Sequence, residues 1–301
     1  MVTTAATAAD PNLFVIGAPR CGTTSLYAAL KQHPAVHASV LKEPHHYAAD
    51  LPVQPHTVVD REDYLELFRG GESCRYRAEA SVWYLYSPRA AEAIAEAHPD
   101  ARVVVLLRDP VEMALSLYAL YLRSGNECET DPDLALMRTA PVRFERSYFP
   151  FGLHYRALLR YDLALSPWRS RFDATRMRVM FYEEFYADPA AAFADLCAWL
   201  EIDPTAPVRF DRDGAAAAVR MTALRQLRAL PAHLRAKLNP QAVRLHSAAH
   251  DIRPSLRTRE LLHAEAAAGF APLRRLLGRP LPAAWEAAAA TAGEVGFDVL
   301  A

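Results

Sequence analysis

The sequence predicts an α/β fold, a single domain with a central parallel sheet flanked by helices. Three observations predict it. Three short apolar runs, Leu13–Ile16, Val103–Leu107 and Arg178–Tyr182, each lead through a turn into a segment of helical period. The first two runs are unbroken rather than alternating, as expected of strands buried on both faces. The first opens into a turn bracketed by Gly17 and Gly22, and ligands of such sheets bind beyond the carboxyl ends of the strands.

Taken in order, residues 1–11 are polar and rich in Ala and Thr, and read as a flexible tail ahead of one domain over 12–301. The first strand stops at Gly17. A helix follows over Thr24–Lys31, with Leu26, Ala29 and Leu30 at helical spacing, until His33-Pro34 ends it. The second strand precedes Arg108-Asp109-Pro110, after which Val111–Arg123 reads as a helix with proline in its first turn. Tyr155–Trp168 is helical in period and precedes the third strand. Asp188-Pro189 then opens a helix through Leu200. From Ala215 onward Leu224, Leu227, Leu230, Leu234 and Leu238 recur at helical spacing, and Ser255–Leu277 forms one further amphipathic run. No internal repeat interrupts this order.

The 301 residues carry 34 basic and 35 acidic side chains, a balance that excludes a general nucleic-acid binder. With 52% hydrophobic residues the chain builds a sizeable core, so disorder as the main state is excluded too. Cys21, Cys74, Cys128 and Cys197 lie far apart, signalling neither a zinc knuckle nor a disulfide framework. No secretory leader and no run long enough to span a bilayer are legible, so a cytoplasmic protein without a membrane partner is expected. Only Lys31, Lys42 and Lys237 are lysines, against 31 arginines. Charge comes in blocks: nine arginines against three acids over Arg138–Arg178, then eight acids against two arginines over Glu183–Asp213. Solvated helix faces account for such blocks, and an anionic ligand between the basic segments is the alternative.

Gly17-Ala-Pro-Arg-Cys-Gly22-Thr23-Thr24 has the glycine spacing of a P-loop and stands between a strand and a helix, as phosphate binding requires. Glycines let the backbone wrap an anion, and the helix N-terminus adds free N–H groups and a positive dipole end. Thr23 occupies the position of a nucleotide triphosphatase lysine, and the cation stands at Arg20 instead. Arg108 at the end of the second strand repels magnesium and suits a further phosphate, while Asp109 leaves a metal reading open. Two other readings compete. One is a P-loop kinase or NTPase, which the missing lysine and Arg108 oppose; the other is a non-catalytic nucleotide-binding module.

The first loop, Gly17–Leu26, together with Leu107-Arg-Asp-Pro-Val-Glu-Met-Ala-Leu-Ser116-Leu-Tyr118, resembles the two nucleotide loops of sulfotransferases. These enzymes use 3′-phosphoadenosine 5′-phosphosulfate (PAPS) and have a P-loop NTPase-like fold. The similarity is to the branch of many bacterial enzymes and heparan-sulfate sulfotransferases. Lys42-Glu-Pro-His-His-Tyr47 resembles the segment that carries the family's catalytic acid, and Glu79-Ala-Ser-Val-Trp-Tyr84 the strand and turn after it. The resemblance runs over about residues 12–285 and is weak between Pro207 and Ile252, so 207–280 reads as a variable helical region on the acceptor side.

The resemblance implies that Arg20, in place of a usual lysine, contacts the 5′-phosphosulfate, with Cys21, Gly22, Thr23, Thr24 and Ser25 donating to the same group. It implies that Arg108 and Ser116 hold the 3′-phosphate, that PAP is the product, and that no metal is needed. Tyr155–Trp168 is either core or a wall for adenine, and Arg244 or Arg253 is a guess for closing over the 3′-phosphate. Sulfuryl transfer passes in line between two oxygens, so positioning and charge stabilisation dominate. Glu43 is then the general base for the acceptor hydroxyl, less readily an amine, with His45 as its partner or substitute. A residue before proline favours extended backbone, which sets Glu43 and His45 on one side. Ala80 stands where some carbohydrate-modifying relatives carry lysine, which counts against a polysaccharide acceptor; a small hydroxylated natural product or a sugar is expected. Trp83, Tyr84 and Tyr121–Asn126 are expected to help choose that acceptor.

Overall fold

Strands too short to be stable alone pair side by side in the computed structural model, which describes residues 10–52, 57–140, 147, 149–210 and 253–295. These are β1 (Leu13–Gly17), β2 (Val36–Ala38), β3 (Tyr76–Ala80), β4 (Arg102–Leu107) and β5 (Met177–Phe181). They form one sheet in the order β2-β3-β1-β4-β5. Every pair is parallel. Helices flank this single sheet, as the fold class predicts.

β1 runs down the middle, with Val15 beside Ala80 on one side and Val104 on the other. Leu13 to Ile16 are fully buried, which explains why this run is apolar without alternation. The register brings the carboxyl ends to one edge: Gly17 pairs with Leu106, and Leu107 with Phe181. Ala18–Gly22, Ser81, Arg108 and Tyr182 follow directly. β3 and β4 lie on opposite sides of β1, so the chain crosses over at β1 and leaves a crevice beyond the strand ends.

Gly17 has φ 151°, and a Cβ there would lie 2.3 Å from the Leu106 carbonyl oxygen. Backbone against backbone cannot yield. Gly17→Ala is therefore expected to destabilise the fold by about 3 kcal/mol or more. Thermal or urea unfolding of the purified variant checks this, and a wild-type midpoint contradicts it.

The helices α1 (Thr23–Leu30), α2 (Arg61–Glu66) and α3 (Pro88–Ala97) precede α4 (Pro110–Ser124), whose N-terminus is capped by Asp109. Asp109 Oδ1 accepts from the amides of Val111 at 2.9 Å and Glu112 at 3.0 Å, so the carboxylate is engaged in capping. α5 (Pro132–Leu136), α6 (Tyr161–Arg169), α7 (Tyr182–Ala187) and α8 (Pro189–Leu200) follow. The long helix expected over Tyr155–Trp168 is instead a 3-10 turn at Ala157–Leu159 and then α6. The tighter turn lets the consecutive Leu158 and Leu159 both bury, at 1% and 2% exposure. Tyr155, Tyr161 and Trp168 are equally buried, so their rings serve the core.

The run Ser255–Leu277 divides into α9 (Leu256–Ala267) and α10 (Phe270–Leu277). Gly269 marks the break, because a Cβ there would meet Asp162 Oδ1 at 2.6 Å. α11 (Ala283–Val295) brings the buried Trp285 within 5.2 Å of the Phe181 ring at the end of β5. The helical run expected from Ala215, and Arg244 with it, lies outside the described residues. Among the described residues no helix is long and apolar enough to cross a membrane.

Candidate active site

The first loop closes on Gly22, which caps α1 with φ 88° and offers no side chain to its amides. The first-turn N–H groups of α1 have no intrahelical acceptor, and such a helix end is suited to an anion. Thr23 is buried at 4% exposure, Thr24 is exposed, and Cys21 is fully buried. Burial pushes the Cys21 thiol far up, so it stays protonated, and its S–H is given to the Pro19 carbonyl at 3.5 Å. Ser25 Oγ accepts from the Tyr186 hydroxyl at 2.7 Å.

Arg20 joins the two loops. Its Nε donates to Ser116 Oγ on α4 at 3.0 Å, across 96 residues of sequence. Protein surrounds much of its guanidinium although water still reaches the residue. Desolvation lowers its pKa first, and repulsion from Arg123 and Arg108 lowers it further. Arg123 stands seven residues after Ser116, on the same face of α4. Arg108 lies over the Tyr182 ring, 4.6 Å from its centroid. Its nearest carboxylate is Glu112 at 3.9 Å, and Glu112 is held more closely by Arg259 of α9 at 2.6 Å. Three cations thus gather at one edge, close enough for Arg123 and Arg108 to lower the Arg20 pKa.

Lys42, Glu43 and His45 form a second group, at the end of β3. The Lys42 ammonium hydrogen-bonds Glu43 Oε1, and His45 Nε2 stands 3.7 Å from Glu43 Oε2. Withdrawal from water pushes the Glu43 carboxyl up, but the Lys42 charge and the His45 ring outweigh it and hold the group well below the usual carboxylate range. His45 is 3% exposed and neither ring nitrogen has a hydrogen-bond partner. The pair comes together in a way the sequence did not predict, because Glu43 and His45 have φ 64° and 50° rather than extended backbone. Tethering overrides the local preference: Glu43 N donates to Ala80 O at 2.8 Å and His45 N to Ser81 Oγ at 3.1 Å. Among the described residues, the non-glycine positions with positive φ are Arg20, Glu43, His45 and Glu201. Strained backbone of this kind collects at working sites.

Several residues at this edge escaped the sequence reading. Tyr182 and Tyr186 of α7 pack ring to ring at 4.3 Å, and a Cβ on Gly22 would meet Tyr186 at 3.0 Å. Tyr182 directly follows β5, so its place beyond a strand end was a usable signal. Arg259 of α9 carried none. Arg253 lies just ahead of α9, and Arg259 within α9 reaches Glu112 of α4.

The chain matches the sulfotransferase family over residues 11–206. Human carbohydrate sulfotransferase 15 is 30% identical, over 40% of this chain and 29% of that protein. The membrane-associated sulfotransferase kil1 of Dictyostelium discoideum is also 30% identical, over 36% of this chain and 22% of its own. The chain therefore spans less than a third of the length of these curated relatives. A crystal structure of a sulfotransferase from Alicyclobacillus acidocaldarius aligns at 28% identity with a TM-score of 0.68, covering 92% of this chain and 99% of that one. Both loops, the Lys42–Tyr47 segment and Tyr182 lie inside the matched range, and the chain belongs to the sulfotransferase family.

Proposed function

We propose that the chain moves the sulfuryl group of PAPS to a hydroxyl of a small molecule or carbohydrate. The observation that carries this reading is the Arg20–Ser116 contact, which ties a loop suited to a 5′-phosphosulfate to one suited to a 3′-phosphate. PAPS supplies the activated sulfuryl group; the protein's own residues supply charge and position. Arg20, Arg108 and Arg123 repel one another until an anion neutralises them, so a ligand with two separate phosphate positions fits better than one with a single phosphate. The α1 amides and Thr24 donate to the 5′ group, and Arg108 and Ser116 to the 3′ group. Arg20 stabilises charge that grows on the leaving phosphate. Glu43 takes the acceptor proton, and His45 beside it orients or relays that proton.

The name of the human relative supports a carbohydrate acceptor. Ala80 bears on this only through its backbone, because its side chain is fully buried.

Calorimetry tests the nucleotide. PAP is expected to bind roughly 100-fold more tightly than adenosine 5′-monophosphate without magnesium, since charge-assisted bonds to a second phosphate supply about 3 kcal/mol. Arg108→Ala should erase most of that ratio while leaving the monophosphate nearly unchanged. Equal affinities in the wild type, or binding of ATP that requires magnesium, would overturn the assignment. Turnover of radiolabelled PAPS against sugar and small hydroxylated acceptors then identifies the acceptor.

A further inference from the structure

Glu79 is a fully buried carboxyl with no cation paired to it among the described residues. Three hydroxyls surround it: Ser81 Oγ donates to Oε1 at 2.5 Å, Tyr84 to Oε2 at 3.2 Å, and Tyr64 of α2 also to Oε2. Two of these hydroxyls do something further. Ser81 Oγ accepts the amide of His45 at 3.1 Å, and the Tyr84 hydroxyl accepts the amide of Tyr47 at 3.1 Å. A hydroxyl has one proton to give, and both Ser81 and Tyr84 receive a backbone proton while pointing their own at Glu79. An ionised, acceptor-only carboxylate receives all three hydroxyl protons. With Glu43 N on the Ala80 carbonyl, the amides of residues 43, 45 and 47 are all fixed by the end of β3 and the turn after it.

We infer that Glu79 is a positioning residue: its buried carboxylate, acting through Ser81 and Tyr84, sets the backbone from which Glu43 and His45 project. The inference rests on the reading of Glu43 as the base. Left-handed backbone at Glu43 and His45 is costly and persists only where tethers over-determine it. Satisfied buried networks supply that rigidity.

Burial pushes the Glu79 carboxyl up to about 7, against the pull of its three hydroxyl partners. The titratable groups facing it are Tyr64 of α2, Tyr84, Tyr47 and Tyr27 of α1, each pushed up by burial and then by the Glu79 charge. His46 stacks on Tyr64, and His98 meets the Tyr47 hydroxyl. Burial pushes both down, His98 to about 4, so neither brings a cation at neutral pH. The Arg61–Asp10 pair and Arg77, bonded to the Asp10 carbonyl, stand beyond His98. As pH falls through about 7, Glu79 takes a proton and turns from acceptor to donor, and one hydroxyl must reverse.

Steady-state kinetics with PAPS and an accepted hydroxyl test this. Glu79→Gln is expected to lower kcat 10- to 100-fold, leave PAP affinity within about threefold, and abolish a kcat acid limb near pH 7. Ser81→Ala should lower kcat similarly, while Ser81→Thr restores it. In a Glu43→Gln background, Glu79→Gln should cost nothing more. Wild-type kcat and pH profile in Glu79→Gln, or in Ser81→Ala if the first variant does not fold, overturn the inference while Glu43→Gln stays inactive. Full activity of Glu43→Gln itself would instead remove the base reading.

Discussion

Glu43→Gln is expected to cut turnover of PAPS about a thousandfold while PAP binds as it does to the wild type. A positioned general base contributes on the order of 10²- to 10⁴-fold, and the amide keeps the shape of the carboxylate but not its basicity. The nucleotide loops are tied to one another through Arg20 and Ser116, not through Glu43, so affinity for the product should be spared. Calorimetry with PAP and single-turnover assays separate the two effects. A variant that keeps its rate shows that the acceptor proton goes elsewhere. Lys42 gives a second handle on the same carboxylate. Its charge counts first among the influences that lower the Glu43 pKa against burial, so Lys42→Met should let that pKa rise. A base works only when ionised, so in a Glu79→Gln background, free of the limb near pH 7, the remaining acid limb of kcat/KM should move to higher pH. An unmoved limb would separate the ion pair from the chemistry.

The sequence made the middle of the sheet legible and its edges obscure. β1 and β4 are buried on both faces and announce themselves as unbroken apolar runs. β3 reads Tyr-Arg-Ala-Glu-Ala, the alternation of a strand with one wet face, yet Glu79 is inside because three hydroxyls from elsewhere in the chain meet it there. β2 is only Val36-His37-Ala38, too brief for any period to show. At the site, the glycine spacing and the strand-end arginine singled out two loops beyond the strand ends. The Arg20–Ser116 contact joins the two loops. The left-handed backbone of Glu43 and His45 was not legible, because proline after Glu43 argues for extended backbone and the tethers that defeat it come from Ala80 and Ser81. Tyr186 on Ser25 spans 161 residues, a separation that no local pattern bridges.

Arg20→Ala is expected to lower kcat by about 10²- to 10³-fold, the usual cost of removing one donor aimed at developing charge. Two losses combine in it, since the substitution removes a cation from the leaving phosphate and releases Ser116. Arg20→Lys separates them. Arginine has five N–H donors, and its Nε–H is given to Ser116, which leaves the four on its two terminal nitrogens for an anion. An ammonium carries the same charge on one compact head, so it must divide its reach between Ser116 and the phosphosulfate. Arg20→Lys should therefore retain most PAP affinity and lose about tenfold in kcat. Adding Ser116→Ala to Arg20→Lys frees the lysine, so kcat should recover, whereas Ser116→Ala in the wild type should weaken PAP binding without such a gain. If the double variant is no faster than Arg20→Lys alone, the fork of Arg20 is not shared between the two loops, and the contact seen with Ser116 serves packing rather than transfer.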